Sequence, residues 1–168
     1  MTWREIVAAF WRGLRPPTIA PPMAAQESQA DLVEVFKGRR RLALKRDGRL
    51  LKEYRVALGF APLQHKEREG DGRTPEGCYT IDARNPRSSF HLSLRVSYPD
   101  DGDKAQAAAL DASPGGDIYI HGLPNGWRKL RTRHPAEDWT SGCVAVTDAE
   151  IREIWSLVPT GVRIVIHP

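Results

Sequence analysis

The sequence predicts a mainly β domain with a few short helices, and three observations carry that expectation. From residue 31 onward the apolar residues alternate or run in short blocks bounded by Gly, Pro, Asn and Asp, which marks strands. Asp47-Gly48 sits between two such blocks and is a two-residue hairpin signal, because both turn positions favour positive φ. Only two short stretches within this region carry a helical pattern, over residues 103–110 and 148–157.

Taken in order, residues 32–36, 41–45 and 50–58 form an opening meander. A polar, Gly-rich loop follows through Gly77, and Cys78-Tyr79-Thr80-Ile81 reads as a short strand. Phe90, Leu92, Leu94, Val96 and Tyr98 alternate with His91, Ser93, Arg95 and Ser97, as in a half-buried strand that ends at Pro99. The helix over 103–110 is broken by Ser113-Pro114-Gly115-Gly116, after which residues 117–120 form a strand that delivers His121 at its end. Residues 122–140 lack clean periodicity, as expected of a substrate-facing loop or lid. Cys143 opens a strand through Val146. Thr147 and Glu150 make a capping box for the helix over 148–157, and residues 162–166 close the domain as a strand.

With 168 residues, the chain has room for one domain with a sizeable core. Residues 31–168 are assigned to it. Residues 1–30 are read as an amphipathic or signal-like segment followed by a linker. Trp3, Ile6, Val7, Phe10, Trp11 and Leu14 fall at helical spacing among Arg4, Arg12 and Arg15. A poor signal peptide, an interfacial helix making peripheral membrane contact, and a helix packed on the domain all fit that pattern. The Pro-, Ala- and Gln-rich stretch over 16–30 is the linker. No stretch approaches the roughly 20 apolar residues of a membrane span, so no transmembrane helix is expected.

The net charge of +4 and pI near 9.3 suit an anionic partner, but the cations are spread along the chain. The densest run, Lys37-Gly38-Arg39-Arg40-Arg41, lies between two strands and reads as a solvated hairpin turn. Nucleic acid is therefore not an expected partner. Two cysteines, Cys78 and Cys143, are too few for a disulfide scaffold. His65, His91, His134 and His167 have no spacing that suggests a metal, and no cofactor is predicted.

The small residues of Thr140-Ser141-Gly142-Cys143 permit a tight turn whose backbone N–H groups converge beside the sulfur, an oxyanion hole in outline. His121 at a strand end is a plausible base for the Cys143 thiol. On the residues alone, Cys143 reads more readily as a buried small hydrophobe and His121 as simply exposed.

The wider pattern extends this reading. Ile120-His121-Gly122, then Ser141-Gly142-Cys143-Val144, with His121 and Cys143 separated by 22 residues, resemble the L,D-transpeptidase (YkuD-type) catalytic domain. Thr74-Pro75-Glu76-Gly77-Cys78-Tyr79 resembles that family's upstream stretch. Ser97-Tyr98-Pro99 and His121-Gly122-Leu123-Pro124-Asn125 are similar to a proteobacterial branch of it. The resemblance runs from about residue 32 to 166 and implies a β-sandwich or barrel-like fold.

It also implies a chemistry. Cys143 would take the acyl group of a peptidoglycan stem peptide as a thioester. His121 would move the protons, and the amides of Ser141, Gly142 and Cys143 would hold the oxyanion. An amine acceptor gives a cross-link. Water gives a hydrolase or amidase that releases a D-amino acid or a peptidoglycan-linked lipoprotein. A silent peptidoglycan-binding module is the third reading, disfavoured because binding needs no thiol and imidazole together. Ser141 and Ala145 stand where many members carry a His and an Asn or Arg, which brings amine and water closer as acceptors.

Gly122, Trp139, Tyr98 and Arg133 are the substrate-binding candidates. Trp127, Trp139, Arg131 and Arg133 would cap the stem peptide, or else the aromatics simply anchor the loop. Tyr98 lines the cleft or belongs to the core, and Cys78 is expected as a packed thiol. The implied substrate lies in the periplasm or cell envelope.

Overall fold

A computed structural model describes residues 17–168. The reading of residues 3–15 as an amphipathic helix lies outside them. Eight strands, two α-helices and two short 3-10 turns are present among the described residues. The strands are β1 (Leu32–Phe36), β2 (Arg41–Arg46), β3 (Arg49–Arg55), β4 (Gly77–Asn85), β5 (Ser93–Val96), β6 (Tyr119–His121), β7 (Val144–Ala145) and β8 (Arg163–His167). The helices are α1 (Asp101–Ala109) and α2 (Asp148–Leu157). The mainly β class expected from the sequence is what forms.

One sheet of order β3-β2-β1-β8-β4-β5-β6-β7 contains every strand, with β1–β8 and β6–β7 parallel and the rest antiparallel. Its two ends meet. Past β3 the buried run Val56-Ala57-Leu58 crosses to β7, where Ala57 and Ala145 exchange hydrogen bonds of 3.0 and 2.8 Å. Closure of this kind leaves little free edge. Val33, Leu42, Leu44, Ile81, Leu94, Ile120 and Ile164 fill the interior, and α2 lays Ile151, Ile154 and Trp155 against it. Each such side chain contributes about 1.5–3 kcal/mol by leaving water.

Local signals behave as their chemistry dictates. Asp47 and Gly48 both have positive φ, 49° and 74°, as the tight turn requires. Thr147 and Glu150 form the reciprocal capping box of α2. At the other end of that helix Arg84 donates to the carbonyls of Trp155 and Val158, at 2.7 and 2.6 Å, and stacks over the Trp155 ring. Those carbonyls are the orphan acceptors of a helix C-terminus.

Four expectations are corrected. The strand expected from Phe90 to Tyr98 shortens to Ser93–Val96 because His91 takes φ +70°, turning Phe90 out of the ladder. Helix α1 starts at Asp101, since Asp100 and Asp103 build a capping box that the later start misses. Cys78 is exposed: the alternation of β4 points Tyr79 and Ile81 inward, so the preceding thiol faces out. The basic β1–β2 turn is not merely solvated, because Lys37 is buried and donates to the carbonyls of Gln64 and Thr74, both at 2.7 Å. Burial pushes the Lys37 ammonium down from its ordinary range, against the pull of Glu76.

The stretch read as a linker runs along the body over its described part. Thr18 N–H donates to the Pro86 carbonyl at 2.7 Å and Thr18 Oγ1 to the His91 carbonyl at 3.0 Å, while Ala24 and Ala30 bond to the C-terminal turn of α2.

The seam of the closed sheet is tight enough to be testable. A Cβ at Gly59 would stand 2.1 Å from the Gly72 carbonyl oxygen and 3.1 Å from Gly142 Cα. Gly59→Ala should therefore lower stability by about 1–3 kcal/mol through overpacking, read as a lower urea midpoint at unchanged slope. An unchanged midpoint would mean that the seam yields freely.

Candidate active site

The parallel pairing of β6 and β7 matches Ile120 with Val144 and His121 with Ala145. Cys143 precedes β7, so it and His121 are brought together from adjacent strands. Both line one cavity of about 340 Å³, with Asn85, Ser88, Phe90 and Asp117 among its walls. Cys143 also lines a second cavity of about 270 Å³, with Lys66, Gly115, Gly116 and Ser141. Cys143 thus stands between two spaces.

The turn that carries Cys143 is held by a single hydroxyl. Thr140 Oγ1 donates to the Cys143 carbonyl at 2.8 Å and accepts the Gly142 N–H at 3.2 Å. Gly142 has φ +140°, and a Cβ there would meet the Arg73 carbonyl at 2.8 Å, so only glycine fits. Thr74 Oγ1 in turn accepts the Gly59 N–H at 3.1 Å. The Thr74-Pro75 stretch therefore supports the turn from behind and makes no contact with the sulfur among the hydrogen bonds of the described residues.

This arrangement divides the expected oxyanion donors. Gly142 N–H is taken by Thr140, whereas among the described residues no acceptor faces the N–H of Ser141 or of Cys143. Two of the three expected donors therefore make no hydrogen bond among the described residues.

His121 is buried, and its Nδ1 donates to the Gly122 carbonyl at 2.7 Å. That bond fixes the tautomer and leaves Nε2 as the basic nitrogen. Phe90 stacks on the imidazole with centroids 4.3 Å apart, and Trp139 packs tilted on it at 5.7 Å. Burial pushes the imidazole down to about 4, although the Gly122 carbonyl opposes this; the charge of His134 adds to the lowering. The Cys143 thiol is pushed up to about 11 by burial, against the Tyr119 N–H that points at the sulfur from 3.4 Å. Its own S–H is directed at the Asp117 carbonyl, 3.3 Å away. At neutral pH the resting pair is a thiol and a neutral imidazole.

The remaining candidates separate. Gly122 is a packing residue, since a Cβ there would meet Asp148 Oδ1 at 2.7 Å. Tyr98 is buried among Tyr79 and His65 and lines neither cavity beside Cys143. Its hydroxyl donates to the Pro114 carbonyl at 2.8 Å and so steadies the segment that walls the smaller cavity. Arg133 pairs with Glu137 at 2.6 Å and, with Trp127, Arg131 and Trp139, lines a third cavity of about 330 Å³. Trp139 alone of that group touches His121.

Sequence reasoning missed Phe90, Asp117 and Lys66. Phe90 was hidden in an apparently regular alternation, and Asp117 acts through its main-chain carbonyl, which any residue would supply. Asp138 accepts from Arg40 at 2.8 Å and from the Leu58 N–H at 3.0 Å, tying the end of the 122–140 loop to the sheet seam.

A family model described as the L,D-transpeptidase catalytic domain (YkuD) matches residues 30–166. The putative L,D-transpeptidase YafK of Escherichia coli K12 is 27% identical over 133 residues, covering 75% of this chain and 46% of YafK. The helical cell shape determining protein Pgp2 of Campylobacter jejuni shares the fold at TM-score 0.64 and 23% identity, over 94% of this chain and 54% of Pgp2. An L,D-transpeptidase from Mycobacterium smegmatis does so at TM-score 0.54 and 15% identity, over 83% of this chain and 59% of that one. The chain spans about half the length of these relatives.

A neutral pair has a direct chemical consequence. In a Cys78→Ser background, alkylation of Cys143 by iodoacetamide at pH 7 should run roughly 10²-fold slower than that of a free cysteine and climb through a midpoint above pH 9. A rate already at its plateau by pH 7 would contradict it.

Proposed function

Because the chain belongs to the L,D-transpeptidase catalytic-domain family, we propose that it carries out acyl transfer on peptidoglycan stem peptides through a thioester on Cys143. The observation that supports this is that Cys143 and an imidazole whose Nδ1 is already committed to the Gly122 carbonyl line the wall of one cavity.

The proposed steps use the groups around that cavity. The substrate carbonyl approaches Sγ, and the thiol proton, released from the Asp117 carbonyl, passes to His121 Nε2 as the S–C bond forms. The carbonyl oxygen becomes an oxyanion facing the free N–H groups of Cys143 and Ser141. As this intermediate collapses, the C–N bond breaks and His121 returns its proton to the departing amine. An incoming amine then loses its proton to His121, attacks the thioester and expels the Cys143 thiolate, which recovers the proton. Water in the same role gives hydrolysis.

The neutral resting pair suits this order, since the proton moves only when the carbonyl is in place to receive the electron pair. Phe90 and Trp139 hold the imidazole in one orientation and keep it uncharged. The lid cavity with Trp127, Arg131 and Arg133 supports contact with a carboxylate of the stem peptide. The implied substrate favours a periplasmic or cell-envelope location, and no helix among the described residues is long and apolar enough to cross a membrane. Pgp2's role in cell shape points to wall remodelling as the physiological setting.

Purified protein incubated with tetrapeptide muropeptides should yield cross-linked dimers by mass spectrometry; shortened monomers alone would assign it to hydrolysis, and an unchanged pool would refute acyl transfer. Cys143→Ala should abolish the covalent adduct with a carbapenem, and His121→Ala should slow acylation by about 10²-fold or more. An adduct that persists on the Cys143 variant would disprove the nucleophile.

A further inference from the structure

Lys66 is buried to 3% exposure and lines the smaller cavity beside Cys143. A lysine is almost never buried so fully without a partner, and an elaborate one is provided. Its Nζ donates to Asp71 Oδ1 at 2.8 Å and to the Arg68 carbonyl at 3.1 Å. Asp71 is fixed by the N–H groups of Glu67, Arg68 and Arg73 at 2.9 to 3.1 Å. Burial works against that carboxylate, but Lys66 and these N–H groups outweigh it and hold it down to about 2. An ammonium has three N–H donors. Two are used here, and among the described residues the third has no acceptor.

The opposite wall is built to leave room. Gly115 and Gly116 present backbone only, and a Cβ at Gly116 would meet nothing within 4 Å. Glu69 and Asp117 also border this space, but both are exposed to solvent, where water screens their charge. The buried ammonium is the group able to interact strongly with an anion, and it shares its cavity with the reacting sulfur.

The reaction supplies such an anion at a fixed place. The bond broken at Cys143 joins the acyl carbon to the nitrogen of a D-amino acid, whose carboxylate is attached to the next carbon. A leaving D-amino acid therefore carries a carboxylate within a few ångströms of the scissile nitrogen, and an incoming one occupies the same place in the reverse direction.

We propose that Lys66 binds the carboxylate of the D-amino acid released from, or added to, the acyl group on Cys143. Rather than acting on internal bonds, the enzyme is thereby confined to the free ends of stem peptides. The proposal rests on the acyl-transfer reading. Lys66 is a specificity residue that touches the leaving group, and Asp71 is a positioning residue that holds Lys66.

The test compares a stem tetrapeptide ending in free D-alanine with the same peptide capped as its C-terminal amide. The wild type should favour the free acid by about 10–100-fold in kcat/KM, the range of a charge-assisted hydrogen bond. Lys66→Met should lose turnover of the acid by that factor while turning over the amide as before. Lys66→Arg should retain the preference. A wild type indifferent to the cap, or a Lys66→Met protein that loses both peptides equally while still forming a carbapenem adduct, would overturn the proposal. Should Lys66→Met fail to fold, the preference in the wild type and Lys66→Arg decides. A folded wild type that acts on neither peptide defeats the acyl-transfer reading itself, and this proposal falls with it.

Discussion

The two hydrogen bonds between Ala57 and Ala145 close the sheet on itself, and the site depends on that closure. β7 is only two residues long, too short to hold its register alone. It is gripped on one side by β6 and on the other by the run that continues from β3. Cys143, the proposed nucleophile, is the residue just before β7, so the same grip sets where the sulfur stands. Gly59, Gly142 and the Arg73 carbonyl crowd together behind it, leaving the turn little freedom to shift.

Around this seam the charged groups do structural duties before chemical ones. Lys37 and Arg40 leave the β1–β2 turn to bond to the loop over 64–74 and to Asp138. His65 accepts the Glu76 N–H at Nδ1, so its Nε2 donates to Asp103, which also accepts from Tyr79. These bonds tie the segments on either side of the catalytic turn to the sheet, and each satisfies a polar group that burial would otherwise penalise. The proposed chemistry then needs few further parts: a fixed tautomer, two N–H groups without a partner among the described residues, and space on both sides of the sulfur.

Much of this was legible in the sequence, for physical reasons that differ from place to place. The Asp47-Gly48 turn and the Thr147 to Glu150 capping box are local devices, specified by residues adjacent to each other. The family resemblance led to Cys143 and His121, for which the residues taken alone favoured packing over chemistry. What was not legible depends on contacts between distant segments. The alternation around Phe90 is a strand pattern, yet one left-handed residue at His91 redirects it onto the imidazole. The Gly142 amide looked like an oxyanion donor until the Thr140 hydroxyl was seen to claim it. Tyr98 and Gly122 proved to be packing residues near the site, and Cys78, expected inside, faces solvent because strand parity is set by Tyr79.

The path of residues 17–30 has a consequence for orientation. Thr18 bonds to the Pro86 and His91 carbonyls, and His91 adjoins Phe90, whose ring lies on the His121 imidazole. The chain therefore joins the body at the rim of the cleft. From that rim the described chain runs on along the C-terminal turn of α2 to β1, so the cleft and the far end of the helix are strapped by one continuous segment.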